Sequence, residues 1–259
     1  MSTQIHSTAI IEHGARLAPD VVVGPYTVIG PHVEIGPGCH IGAHAVITGH
    51  TRIGSNNRIY HFVSLGEAPQ DKKYGGEDTR LEIGDNNTIR EFCTFNRGTV
   101  QDAGVTRLGN GNWIMAYVHL AHDCQIGNNT IFANNAQLAG HVHIGDYAIL
   151  GGFTAVHQFC RVGAHSLTGL CSMIVQDVPP YVTVSGNPAQ AHGINAEGLK
   201  RRGFSAEAIA EIRRAYKTLY RSGLTLDEAR RAIDERRAQW DVLALLADFL
   251  AVPGRGIVR

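Results

Sequence analysis

The chain has 259 residues, with 23 Lys and Arg against 23 Asp and Glu, so its formal net charge is zero. This balance gives no electrostatic reason to expect nucleic acid or a membrane surface as the main partner. The sequence has no run of eighteen apolar residues, and its first residues lack a basic and apolar signal segment. We therefore expect a cytoplasmic protein that neither binds nucleic acid nor inserts into a membrane.

An aliphatic or aromatic residue recurs at every sixth position from the start of the chain. The uninterrupted series is Ile5, Ile11, Leu17, Val23, Ile29, Ile35, Ile41, Ile47, Ile53, Ile59 and Leu65. A period of six fits neither an α-helix nor a single alternating strand, and it is typical of a parallel β-helix built from hexapeptides. Three short strands make one coil, so residues eighteen apart should stack about 4.8 Å apart. Glycine often follows the repeated residue, which predicts sharp corners where the missing Cβ relieves strain.

Two segments interrupt the repeat, at about 70–82 and at 101–107. Insertions in a solenoid leave its surface as loops, often on the binding face. The first segment contains Asp71 and Lys73, and we expect it to form a charged arm near the functional site.

The repeat ends near Ile174, before Pro179 and Pro180. Ser205 and the Thr225–Glu228 capping box predict helix starts beyond it. We therefore expect a mainly β protein, with a parallel β-helix over 1–190 and a helical domain over 191–259. An exposed helical stripe of basic residues is either an ordinary solvated face or a docking site for an acidic partner. It consists of Arg213, Arg214, Lys217 and Arg221.

Five cysteines show no C-x-x-C pairing. Four of them, Cys39, Cys93, Cys124 and Cys160, come four residues after a repeated apolar residue, where small inward side chains belong. This position indicates core packing in a reducing compartment rather than disulfides or metal ligation.

Histidines gather at one place in the predicted coil. Steps of eighteen from His122 reach Gly140 and Gln158, and the adjacent columns contain Asp123 with His141, and His157. We expect Gly140 to leave room for a ligand over His122.

This grouping suits acid–base chemistry. A neutral imidazole can accept a proton near neutral pH, Asp123 could orient it, and the Gly140 N–H could stabilise an oxyanion. Three other interpretations stay open: ordinary surface histidines, a zinc site that uses His119 with His122 or His141 with His143, and nucleophilic catalysis by Cys124. The last is disfavoured because Cys124 should point inward.

Several segments along the chain carry a distinctive residue order. They are Gly-His-Thr-Arg-Ile-Gly at 49–54, Asn-Arg-Gly at 96–98, Ala-His-Asp-Cys at 121–124, Leu-Ala-Gly-His-Val at 138–142, Ala-Val-His-Gln-Phe at 155–159, Gln-Asp-Val-Pro-Pro-Tyr at 176–181 and Glu-Gly-Leu-Lys-Arg-Arg-Gly-Phe at 197–204. Together they resemble the UDP-N-acetylglucosamine O-acyltransferases of lipid A synthesis, within the left-handed hexapeptide acyltransferases. Asn96 departs from the family, in which histidine is common at that position, so no role is carried over to it.

The resemblance implies that the coils of the parallel β-helix are left-handed, and it also implies a reaction and a set of residues. His122 would be the general base that activates the sugar 3-hydroxyl toward an (R)-3-hydroxyacyl thioester on acyl carrier protein, with the Gly140 N–H as oxyanion donor. The residues implied to hold the acyl group and the sugar are Asp71, Lys73, His119 and His141. Those implied to contact the nucleotide sugar are His157, Gln158, Asn195, Glu197, Arg201 and Arg202. A homotrimer would place each site between two subunits, and we expect no cofactor and no metal.

Two alternatives and one further expectation complete the interpretation. The related N-acyltransferase would need an extra N-terminal domain, whereas the repeat here begins at Ile5. A non-catalytic scaffold would not need the histidine cluster. The resemblance also implies that a side chain closing a groove between subunits sets the acyl length. Leu170 stacks above Gly152 in the eighteen-residue register and would be that side chain, so we expect a short hydroxyacyl chain of about ten carbons.

Overall fold

The computed structural model describes residues 4–259, which wind into a three-sided parallel β-helix followed by four α-helices. The coils are left-handed, as the resemblance implied. Face A contains β1 (Gln4–Ile5), β4 (Val22–Val23), β7 (His40–Ile41), β10 (Arg58–Ile59), β13 (Thr88–Ile89), β16 (Trp113–Ile114), β19 (Ile131–Phe132), β22 (Ile149–Leu150), β25 (Leu167–Thr168), β27 (Val182–Gly186) and β28 (Ala189–Ile194).

The two other faces alternate with face A along the chain. Face B contains β2 (Ile10–Ile11), β5 (Val28–Ile29), β8 (Val46–Ile47), β11 (Ser64–Glu67), β14 (Thr94–Asn96), β17 (His119–Leu120), β20 (Gln137–Leu138), β23 (Ala155–Val156) and β26 (Met173–Ile174). Face C contains β3 (Arg16–Leu17), β6 (Val33–Ile35), β9 (His50–Ile53), β12 (Arg80–Ile83), β15 (Val105–Leu108), β18 (Gln125–Ile126), β21 (His143–Ile144) and β24 (Arg161–Val162).

The strand register confirms the eighteen-residue coil. Leu120 pairs with Leu138, which in turn pairs with Val156. These repeated apolar residues point into one continuous core, where Leu120 and Leu138 are almost fully buried. Cys39, Cys93, Cys124 and Cys160 are also buried there as free thiols, as the sequence predicted. Burial raises the pKa of Cys124 to about 12, which leaves it protonated and unsuited to nucleophilic attack.

The corner glycines have a different physical cause from the one expected. Gly24 and Gly42 do not have positive φ values; instead, a Cβ at either would lie 2.8 or 2.6 Å from a backbone nitrogen of the next coil. Positive φ occurs two residues later, at residues such as Tyr26, His44 and Asp123. Glycine is therefore required by the close approach of consecutive coils rather than by the turn itself.

The C-terminal helices form a second core on the end of the β-helix. Their bounds are α1 (Ala196–Arg201), α2 (Ala206–Tyr220), α3 (Leu226–Arg237) and α4 (Ala244–Ala251), with a 3-10 turn at Asp241–Leu243. Thr225 and Glu228 form the predicted capping box. Between residues 4 and 259, no helix combines the length and apolarity needed to cross a membrane.

Candidate active site

Both insertions leave the β-helix at the same corner. The first, 68–79, joins β11 to β12, and the second, 97–104, joins β14 to β15, so each passes from face B to face C. The segment after β17 turns at this same B–C corner and carries His122. The two loops and the histidine cluster thus share one edge of the molecule.

His122 and Asp123 form an oriented pair. His122 Nδ1 lies 2.9 Å from Asp123 Oδ2, and the His122 side chain is 15 % exposed while that of Asp123 is fully buried. Since a carboxylate can only accept, Nδ1 carries the proton and Nε2 is left with its lone pair. The sequence had placed these residues in neighbouring columns, and the left-handed backbone of Asp123, with φ of 60°, turns its side chain back toward the ring.

The Asp123 carboxylate is held by Thr99, a residue of the second insertion. Thr99 donates its backbone N–H to Oδ1 at 2.9 Å and its hydroxyl to Oδ2 at 2.6 Å. Burial acts to raise the pKa of Asp123, but hydrogen bonds from His122 and Thr99 outweigh it and keep the pKa below its usual value. Asp123 is therefore ionised throughout the neutral range and can stabilise a protonated His122.

Gly140 lies against the His122 ring, as the register predicted. A Cβ at Gly140 would be 2.5 Å from His122 Cε1 and 2.7 Å from Nε2. The prediction of free space for a ligand above His122 is therefore wrong, because the imidazole of His122 itself fills the room that Gly140 provides. Within residues 4–259 the Gly140 N–H donates to no acceptor.

Two more histidines line the same corner. His141 packs its ring against Phe159 at 4.4 Å and meets the His122 ring edge-on at 5.0 Å. His119 Nδ1 lies 2.7 Å from the Thr94 hydroxyl, and burial lowers its pKa, which favours the neutral imidazole. His157 and Gln158 occupy the same corner one coil beyond His141, and Gln158 is exposed.

The first loop places Asp71 and Lys73 beside the B–C corner. Asp71 Oδ1 accepts from the backbone N–H of Lys73, and the Lys73 side chain is exposed. The loop is fastened by Arg97, whose guanidinium donates to the Tyr74 hydroxyl at 3.0 Å. The start of this loop is held by buried Asn96, which donates to the Ala68 carbonyl at 3.1 Å.

Four of the six residues expected to contact the nucleotide sugar, namely Asn195, Glu197, Arg201 and Arg202, lie at another edge. Asn195 is buried, caps α1 through Gly198 and donates to the His165 carbonyl, while Arg202 donates to the Tyr147 carbonyl at 2.9 Å. Tyr147 and His165 belong to the C–A corner, one face away from His122. Glu197 and Arg201 are exposed on α1. A single chain therefore does not bring this set together with His122.

An apolar cavity also lies away from the histidine cluster. It measures about 600 Å³ and separates face C from α4, with His143, Arg161 and Phe249 among its lining residues. None of His122, Asp123 or Gly140 lines it, so we assign the chemistry to the B–C corner, where oriented titratable groups converge.

Leu170 and Gly152 occupy the A–B corner. The Leu170 Cδ1 atom would be 3.1 Å from a Cβ at Gly152, and Leu170 is 70 % exposed. The predicted stacking of this column is thus present, at an edge different from that of His122.

Known proteins share both the sequence and this architecture. The family described as UDP-N-acetylglucosamine O-acyltransferase, domain 2, matches residues 177–258, and bacterial transferase hexapeptide repeats match 2–37, 17–49, 32–67 and 106–140. An acyl-[acyl-carrier-protein]–UDP-N-acetylglucosamine O-acyltransferase of Thiobacillus denitrificans is 67 % identical over 255 residues, which cover 98 % of this chain and 99 % of the relative. The chain belongs to this O-acyltransferase family.

Solved structures of UDP-N-acetylglucosamine acyltransferases agree with this membership. The enzyme of Moraxella catarrhalis superposes with a TM-score of 0.97 at 48 % identity, covering 98 % of this chain and 99 % of that chain. The enzyme of Francisella novicida also gives 0.97, at 44 % identity, over 99 % and 94 % of the two chains.

Within this O-acyltransferase, donor atoms of His122, Asp123 and His141 lie within 4.8 Å of one another and could in principle hold a metal ion. Both Asp123 oxygens already accept hydrogen bonds, one of them from His122. Ligation would replace the bond that orients His122, so the arrangement fits acid–base chemistry better than a metal centre.

Sequence reasoning missed Thr99 and Asp102, both in the second insertion. Thr99 holds Asp123, and the Asp102 carboxylate lies 2.8 Å from His141 Nδ1. Neither residue belongs to the six-residue repeat, so the periodicity that placed His122 against Gly140 contains no signal for them.

Proposed function

We propose that this chain transfers an (R)-3-hydroxyacyl group from acyl carrier protein to the 3-hydroxyl of UDP-N-acetylglucosamine, the first step of lipid A biosynthesis. One observation carries the proposal: the His122–Asp123 pair lies against Gly140 at the corner where both inserted loops leave the β-helix. Family membership supports it, because the curated relatives are named for these two substrates.

His122 acts as the general base. Its Nδ1–H donates to Asp123, so Nε2 accepts the proton of the sugar hydroxyl. The hydroxyl oxygen bonds to the thioester carbonyl carbon, and the electron pair of the C=O bond moves to its oxygen. When the tetrahedral intermediate collapses, the C–S bond breaks and the carrier thiolate takes the proton from Nε2. His122 is then neutral again.

Gly140 supplies the donor for the oxyanion. Its N–H has no acceptor among the described residues, and the adjacent His122 ring places the reacting oxygen near it. A backbone donor of this kind is typically worth about 10²–10³-fold in rate.

The substrates lie along the B–C corner. Asp71, Lys73, His119 and His141 position the acyl group and the sugar, and His157 and Gln158 extend the same edge toward the nucleotide. Asn195, Glu197, Arg201 and Arg202 lie at or next to the C–A corner, so they reach this site from a neighbouring subunit of a homotrimer. The arginines suit a diphosphate, because guanidinium groups bind such oxygens in a bidentate manner.

The carrier protein docks on α2. Arg213, Arg214, Lys217 and Arg221 are all exposed on this helix or at its C-cap. Arg214 is also paired with buried Glu211, so Arg213, Lys217 and Arg221 are the residues available to an acidic partner.

Product analysis tests the proposed reaction. Purified protein is incubated with UDP-N-acetylglucosamine and (R)-3-hydroxyacyl carrier protein, and the sugar nucleotide is followed by mass spectrometry. The expected product gains one hydroxyacyl group as an ester at the sugar 3-position, located by NMR. Acylation on nitrogen, or none with a range of chain lengths, would refute the proposal. Sedimentation of the same sample tests the trimer.

A further inference from the structure

We infer that Asp102 is a positioning residue that gives His141 a carboxylate of its own and thereby leaves Asp123 to His122. Asp102 lies in the second inserted loop, 39 positions before His141 in the chain, yet its Oδ2 is 2.8 Å from His141 Nδ1. The carboxylate can only accept, so this contact places a proton on Nδ1 and turns Nε2 away from Asp102. This inference rests on the proposed acyl transfer.

The competition that Asp102 prevents is visible in the distances. His141 Nδ1 is also 3.8 Å from Asp123 Oδ2, the oxygen that accepts from His122 at 2.9 Å. The two imidazoles are edge to face with centroids 5.0 Å apart, so a small rotation would bring His141 within hydrogen-bonding range of that oxygen. Asp102 holds the ring back from this position.

The second loop serves both pairs at once. Its Thr99 donates twice to Asp123, and its Asp102 engages His141. The loop is braced internally, because the Thr99 carbonyl accepts from the N–H of Gly104 at 3.1 Å, and the Asp102 Oδ1 accepts from the N–H of Ala103 at 2.8 Å. Phe159 stacks on the His141 ring and limits it to rotation in its own plane. One loop therefore divides two carboxylates between two histidines.

With Nδ1 committed to Asp102, Nε2 is the nitrogen that His141 offers to substrate. The His141 side chain is 12 % exposed, so this atom is at the edge of the site rather than in bulk water. The Asp102 side chain is 44 % exposed, so solvent screens its contact with His141, and we expect this contact to add little to folding stability.

A crystal structure of Asp102→Ala tests the inference independently of activity. We expect His141 Nδ1 to move from 3.8 Å to within about 3.2 Å of Asp123 Oδ2, lengthening the His122 bond. A His141 ring that stays in place would overturn the inference. Because this readout needs no turnover, it decides the question even if the proposed reaction fails.

Steady-state kinetics of Asp102→Ala and related variants provide a second test of the inference. Asp102→Ala should lower kcat by roughly 10-fold, because a displaced His141 would no longer position the substrate accurately. Asp102→Glu should restore part of the loss. In a His141→Ala background, Asp102→Ala should cause little further loss, because the two residues act as one unit. Gln101→Ala, an exposed neighbour in the same loop, is the matched control and should behave as wild type.

Two kinetic results would contradict the inference. One is an equal loss from Asp102→Ala with and without His141, which would mean that the loop acts by another route. The other is an unchanged kcat in Asp102→Ala while wild type makes the expected ester. If wild type makes no ester, the proposed function fails. The crystal structure of Asp102→Ala then decides by itself whether Asp102 positions His141.

Discussion

At the scale of single residues, the proposed activity should depend on how the Asp123 carboxylate is held. Asp123 is fully buried and accepts from His122 and from Thr99, and these hydrogen bonds keep its pKa below the usual value. The orientation of His122 should thus be insensitive to pH across the neutral range. An acidic limb in the pH–rate profile should therefore not report protonation of Asp123.

Asp123→Asn should separate charge from shape. Asparagine keeps an oxygen that can accept from Thr99, but its amide can donate to His122 Nδ1 and favour the unproductive tautomer. We expect kcat to fall by about 10²–10⁴-fold with a nearly unchanged KM for UDP-N-acetylglucosamine. Steady-state kinetics with varied sugar nucleotide measure this. A kcat within threefold of wild type would show that Asp123 does not orient the base.

At the scale of structural elements, the A–B corner should determine acyl length. Leu170 lies over Gly152 and is largely exposed, and in a trimer this edge can form the far wall of the acyl groove. Leu170→Gly should admit up to about four more methylenes, each favoured by roughly 0.8 kcal/mol when buried. Wild type should prefer a chain of about ten carbons, and the variant a longer one. A competition between ten- and fourteen-carbon hydroxyacyl carrier proteins measures the shift, and an unmoved ratio would exclude Leu170 as the limit.

The basic stripe on α2 should govern encounter with the carrier protein. Arg213→Glu combined with Lys217→Glu spares Arg214, which neutralises buried Glu211. The apparent KM for carrier protein should rise severalfold at low salt, and added salt should weaken the difference, because exposed charges act over about 10 Å at 0.1 M ionic strength. Arg231→Glu with Arg255→Glu is a control of equal charge change. Equal KM values for the two double variants would remove the docking assignment.

His165 lies between the β-helix and the helical domain, and it should make this junction sensitive to acid. Its ring stacks on Tyr147 and Tyr181 and meets Phe204 edge-on. Burial, helped by the charge of Arg202, lowers its pKa to about 4. An unfolded histidine titrates near about 6.5, so between these values the unfolded chain binds more protons. Stability contributed by neutral His165 is therefore complete above about pH 6.5 and falls as the pH decreases toward 4.

His165→Phe should reduce this acid sensitivity. Phenylalanine keeps the stacking and cannot be protonated, and His165 Nδ1 has no hydrogen-bond partner within the described residues, so no bond is lost there. Thermal unfolding at about pH 7 and about pH 5 should show a smaller drop for the variant than for wild type. Equal drops would mean that other groups dominate the acid response.

At the scale of the whole molecule, the sequence predicted what depends on regular coiling. The six-residue period placed apolar residues inside, gave the eighteen-residue register and set Gly140 against His122. It failed where the chain leaves the period. The length of an insertion does not determine its path, so the contacts of Thr99 and Asp102 were not predictable. The prediction of free space over His122 was wrong because the repeat gives the positions of side chains along a coil but not their rotamers.

The proposed mechanism depends on His122 as the base, and turnover by His122→Ala tests this role most directly. Wild type and variant are compared for hydroxyacylated UDP-N-acetylglucosamine by mass spectrometry under identical conditions, with circular dichroism as the control for folding. We expect a loss of roughly 10²–10⁴-fold with an unchanged fold, because this corner residue lies outside the apolar core. A folded variant that retains more than about a tenth of wild-type turnover would contradict it.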